Sequence, residues 1–186
     1  MIKAVLEDNP KCDYLMLYKG KQFIQRLNLK KGFNPMDFSE PMRVADINGD
    51  SLNDLKLVTW YHGCGLASMN VNVLYLFQQP GNKFAKVEFL DKTDPDNTSE
   101  RDMDGDGNYE IITMDLKSYK THNYWVFNIY NFKNNELVNG NEKFDYPVMV
   151  QYLFRQNFKP AKFNKNIRNK YSLKHPPEYD VSSGSK

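Results

Sequence analysis

The stretch Asp102-Met103-Asp104-Gly105-Asp106-Gly107-Asn108-Tyr109-Glu110 runs directly into Ile111-Ile112-Thr113-Met114. An acidic loop that opens onto a β-branched, apolar run reads as the entry to a strand. The same arrangement stands earlier in the chain. There, Asp46-Ile47-Asn48-Gly49-Asp50-Ser51-Leu52-Asn53-Asp54 opens onto Leu55-Lys56-Leu57-Val58-Thr59-Trp60. Both loops place oxygen-bearing side chains at positions 1, 3, 5 and 9, with Gly at position 4.

That spacing has a chemical meaning. Calcium is a hard cation that takes six to eight oxygens at roughly 2.3–2.6 Å. Side chains at alternate positions converge on one point only if the backbone curls between them, and Gly49 and Gly105 allow the curl. The candidate ligands are Asp46, Asn48, Asp50 and Asp54 in the first loop. In the second they are Asp102, Asp104, Asp106 and Glu110. Leu52 and Asn108, at position 7, would add their backbone carbonyls. The expectation is two Ca2+ sites, the second tighter because it carries one more carboxylate. An EF-hand fits poorly, because it needs a Glu at position 12 and a following helix. Position 12 is Leu57 in one loop and Thr113 in the other. The competing reading is a pair of acidic turns without metal.

The loops lie 56 residues apart, which suggests an internal repeat. After the first loop come Val73-Leu74-Tyr75-Leu76-Phe77, a turn at Pro80-Gly81-Asn82, and Phe84-Ala85-Lys86-Val87-Glu88-Phe89. After the second come Asn128-Ile129-Tyr130-Asn131-Phe132, a turn at Asn134-Asn135, and Leu137-Val138. A half copy without an acidic loop precedes both, in Tyr14-Leu15-Met16-Leu17-Tyr18 and Phe23-Ile24 around Gly20. Alternation and turn residues predict antiparallel strands near 13–19, 22–29, 54–60, 71–78, 84–89, 110–116, 122–132 and 147–155.

Acidic loop, strand, connection, aromatic strand, turn, strand: this order resembles the FG-GAP/VCBS-type repeat of β-propeller proteins. The resemblance covers roughly residues 12–140, and its specific part is the two loops. It implies calcium loops ahead of strands and small stacked antiparallel sheets. The chain departs from the family at Ser51, where Gly is frequent, and at Glu110, where Asp is usual. It also has only two loops, whereas a closed propeller takes about four to eight blades. The expected fold is therefore all-β. Antiparallel sheets would form two to three propeller-blade-like repeats, as an incomplete propeller or a compact β domain. One domain is expected over 1–175, with repeats at about 41–90 and 97–140, and a disordered tail over 176–186.

Composition agrees with this class. Of 186 residues, 14% are aromatic, with 12 Tyr and 12 Phe, which suits pleated sheets. No run approaches the apolar length of a membrane span. The chain starts without the apolar core of a signal peptide. An exported protein (periplasmic, cell-surface or secreted) with its leader absent from this chain is expected, because millimolar calcium lies outside the cytosol and the family resembled is largely exported. Cys12 and Cys64 allow one disulfide or two unrelated thiols. Residues 155–175 hold seven Lys or Arg and no Asp or Glu. A segment wrapping across the acidic body is favoured over a nucleic-acid site, since basic clusters alone are weak motifs.

Catalytic patterns are thin. His62, His122 and His175 lack metal-ligand spacing, and no Ser stands in a nucleophile elbow. The function expected is a non-enzymatic, exported calcium-binding module that holds a protein or glycan partner. The alternatives are an inhibitor or immunity-type protein blocking a cell-wall hydrolase such as a lysozyme, and a hydrolase with an unrecognised site. Candidate partner-binding residues lie on the loops joining the first two strands of each repeat: Tyr61, His62, Tyr119 and His122.

Overall fold

A computed structural model describes residues 2–6, 14–29, 42–61, 63–92, 99–152 and 158–183. The described residues form three antiparallel sheets and no closed barrel. The first sheet is β1 (Ile2–Leu6), β2 (Tyr14–Lys19) and β3 (Gln22–Asn28), in that order. The second contains β4 (Arg43–Ala45), β5 (Asp54–Trp60), β6 (Val71–Gln79), β7 (Lys83–Asp91) and β14 (Asp180–Ser183). Its order is β14-β7-β6-β5-β4.

The third sheet runs β13-β12-β10-β9-β8. Its strands are β8 (Glu100–Arg101), β9 (Glu110–Tyr119), β10 (His122–Lys133), β12 (Val148–Tyr152) and β13 (Phe158–Pro160). A further strand, β11 (Glu136–Asn139), pairs with the far end of β10. A short helix, α1 (Lys165–Asn169), is capped by Asn164, whose side chain accepts from Ile167 N.

The second sheet is the middle layer. Strand β5 is buried from Asp54 to Thr59, on both faces, as is most of β7. Alternation then sorts its side chains between two neighbours. Leu55, Leu57, Leu74, Leu76 and Phe84 pack with Leu15, Leu17, Leu27 and Leu29 of the first sheet. Val58, Val73, Tyr75, Phe77, Val87 and Phe89 pack with Ile111, Tyr130, Phe132 and Leu137 of the third. Phe77 stacks on Phe132 with centroids 3.5 Å apart.

Polar groups join the same two layers. Buried Lys56 pairs with Glu100 at 2.8 Å, and Tyr75 Oη also donates to Glu100. Asp91 Oδ1 accepts from Lys92 N and Met114 N, each at 2.7 Å.

The eight strands expected from alternation are present, with ends within three residues of those expected; residues 13 and 153–155 lie outside the described residues. β1, β4, β8, β11, β13 and β14 were not in that list. The expected disordered tail is corrected: the chain is ordered to Ser183. β14 pairs with β7, from Asp180 opposite Glu88 to Ser183 opposite Ala85. Leu137 N donates to Tyr179 Oη at 2.7 Å. The physical reason is that β7 would otherwise be an open edge. Lys86, 1% exposed, also needs carboxylates, and it finds Glu88 at 3.0 Å and Asp180 at 2.6 Å. Residues 184–186 lie outside the described residues. Among the described residues, no helix is long and apolar enough to cross a membrane.

The described part of the basic segment lies against the third sheet. Phe163 meets Tyr119 and Tyr124 edge-on, each at 5.2 Å, and Tyr171 Oη donates to Ser118 O at 3.1 Å.

Candidate metal centre

The two acidic loops occupy matching places, between β4 and β5 and between β8 and β9. They close by the same hydrogen bonds. In the first, Asp46 at position 1 accepts from Gly49 N (2.9 Å) and Ser51 N (2.8 Å). In the second, Asp102 accepts from Gly105 N (2.7 Å) and Gly107 N (3.2 Å). The carboxylate at position 5 takes the amide at position 7: Leu52 N to Asp50 and Asn108 N to Asp106, both 2.8 Å. The carboxylate at position 9 takes the amide at position 2: Ile47 N to Asp54 at 2.9 Å and Met103 N to Glu110 at 2.8 Å.

The closing carboxylates are the buried members. Asp54 and Glu110 are both 0% exposed. The second oxygen of Asp54 accepts from Gln78 N at 2.8 Å, and that of Glu110 from Asn131 Nδ2 at 2.7 Å. Each therefore ties its loop to the third strand of its meander. Burial pushes the Asp54 carboxyl up to about 6, against the pull of the Ile47 and Gln78 amides.

The loops also touch each other. Tyr109 N donates to Ile47 O at 2.8 Å. Gly49 faces Gly107 so closely that a Cβ on Gly49 would lie 2.9 Å from Gly107 O. Gly49, Gly105 and Gly107 all have positive φ (72°, 77° and 83°), and Ser51 takes φ 66° at the position Gly107 holds in the second loop. The curl expected at Gly49 and Gly105 is thus present in the backbone.

The fit to a hard cation differs between the loops. In the second, carboxylate oxygens of exposed Asp102, Asp104 and Asp106 lie within 4.8 Å of one another. Glu110 is not part of that group. Asn108 Oδ1 is buried with no hydrogen-bond partner. Lys143 Nζ, a monovalent stand-in, is ion-paired with Asp104 Oδ2. Its ammonium holds the Asp104 carboxyl below the usual carboxylate range. In the first loop, Asn48 Nδ2 instead donates to Asp50 at 3.1 Å. An oxygen-only donor set with a cation already drawn to it fits calcium by its chemistry. Bound there, calcium would supply charge neutralisation and cross-linking of the loop, which is structural chemistry.

Comparison with known proteins brings no match. No family model, no curated protein and no solved structure matches this chain.

The other candidate residues are scattered. Tyr61 is half-buried and its N donates to Asn70 O at 3.1 Å across the connection after β5. Cys64 carries an exposed free thiol there. His62 and Cys12 lie outside the described residues. Tyr119 is packed by Phe163 and Tyr171, so its ring serves the third sheet, while His122 is exposed. Beside Tyr61, a cavity of about 480 Å³ is lined by Trp60, Tyr61, Gly63, Cys64 and Ser68. Trp60, 40% exposed, was not singled out by sequence reasoning; its place at the end of the Leu55–Trp60 run was the available signal. Lys143 was missed as well, and nothing near it in sequence marks it.

Proposed function

We propose that the chain is a non-enzymatic, exported calcium-binding module of the FG-GAP/VCBS type, whose paired loops stiffen a sheet stack that presents a binding surface. The observation that carries this reading is the convergence of Asp102, Asp104 and Asp106 on a loop that packs against a second loop of the same design. Carboxylates held this close repel one another, and a divalent cation removes that repulsion. The partner is a protein or a glycan, and the surface assigned to it is the Trp60–Ser68 end of the middle sheet. An amphipathic aromatic on a rigid scaffold is suited to either partner.

Thermal melts in calcium and in EDTA test the reading. A ligand at 100 times its Kd stabilises the native state by about 2.7 kcal/mol. For a domain of this size that raises the midpoint by roughly 5–10 °C. Identical midpoints would overturn it. A glycan array and a pull-down from envelope extract, each repeated with Trp60→Ala, separate the two partner classes.

A further inference from the structure

Lys143 stands on the turn 141–145 between β11 and β12, 39 residues beyond the carboxylate it meets. The turn is pinned on both sides. Asn141 Oδ1 accepts from Ile129 N at 2.9 Å, and Asn141 Nδ2 donates to Asn128 Oδ1 and Ser172 Oγ, both at 2.8 Å. Tyr146 N returns to Asn141 O at 2.8 Å, and Arg168 donates to Asp145 O at 2.6 Å. Just before the turn, Gly140 approaches Asn131 so closely that a Cβ would lie 2.9 Å from its Oδ1. Asn131 in turn holds Glu110. The turn is therefore fastened to the same strand that fastens the second loop. Its ammonium reaches Asp104 and also feels the charges of Asp106 and Glu110.

We infer that Lys143 is the built-in cation of the second loop: it neutralises the Asp102–Asp104–Asp106 cluster in the metal-free protein and competes with calcium for the same carboxylates. This rests on the calcium reading above. Two cations cannot share Asp104 without repulsion, so a metal enters only when the ammonium leaves. The apparent affinity then falls by the fraction of time the loop is free of its lysine. The second loop has four carboxylates against three in the first, and Lys143 cancels that extra charge. The tighter second site expected from charge alone is thereby lost, and the second loop becomes the conditional site, filled at higher calcium.

Calorimetric titration with calcium chloride tests this in an Asp50→Ala background, which disables the first loop so that the second alone is read. Lys143→Gln should tighten that site by about three- to fivefold, as expected for release of an exposed ion pair. Lys143→Arg, which keeps the charge, should leave it within about twofold. In EDTA, Lys143→Gln should lower the melting midpoint, and adding Asp104→Asn should restore it. Equal affinity with Lys and Gln would overturn the competition and leave calcium binding standing. An unchanged midpoint in EDTA would overturn the neutralising role. Absence of calcium binding in every variant and in the parent protein would overturn both the competition and the calcium reading. Binding seen only with Gln would support the inference in its strongest form.

Discussion

Ser51 and Gly49 show how much of the loop design rests on single backbone angles. Ser51 holds φ 66°, a region where a side chain costs about 1 kcal/mol or more relative to Gly. Its N–H is nevertheless bound to Asp46, so the conformation is enforced by the loop. Ser51→Gly should raise stability by about 0.5–1 kcal/mol, after allowance for the extra chain entropy of Gly. Gly49→Ala should do the reverse, and more strongly. It adds a methyl at positive φ and drives it to 2.9 Å from Gly107 O. A loss of about 2–3 kcal/mol is expected from strain and overpacking together. Urea denaturation of both variants measures the two effects. A neutral Gly49→Ala would mean that the loops do not pack as described.

Between elements, Asp91 is the informative residue. It ends β7, and its Oδ1 binds amides of Lys92 and of Met114 on β9. Burial pushes its carboxyl up to about 7 from an ordinary 3.8, the amide and Lys56 contributions being smaller. The folded state thus keeps a proton that the unfolded chain releases. From this group alone, stability is greatest below 3.8, declines as the pH rises towards about 7, and is level above that. Asn resembles the protonated acid, and its Oδ1 can accept both amides. Asp91→Asn should therefore abolish this decline: relative to the parent, the variant gains stability between pH 5 and pH 8, read from urea midpoints in EDTA. A parallel pH dependence in the two proteins would contradict it.

Element by element, alternation revealed the longer strands because each has at least five residues, from β12 with five to β10 with twelve. β4 and β8 escaped because three and two residues carry no period. β14 escaped because Ser182 and Ser183 resemble a tail, and its order comes from Lys86 and the β7 edge.

Across the whole molecule, the middle sheet is covered on both faces, and its acidic loop abuts that of the third sheet. The spacing of the loop residues could be read locally, since both loops are nine-residue units. What could not be read is everything delivered from afar. Lys143 reaches Asp104 only because Asn141 and Arg168 fix its turn, and Phe163 reaches Tyr119 only because the chain returns after β13. Tyr119 is thereby half-buried against Phe163 and Tyr171, while Trp60 stays 40% exposed beside Tyr61.

Whether the loops hold metal is decided by counting it. Equilibrium dialysis against millimolar calcium should give two ions per chain, with Asp50→Ala and Asp106→Ala each removing one and leaving the other. No calcium retained by the parent protein at that concentration would contradict the reading, and the loops would then be acidic turns closed by their own amides and by Lys143.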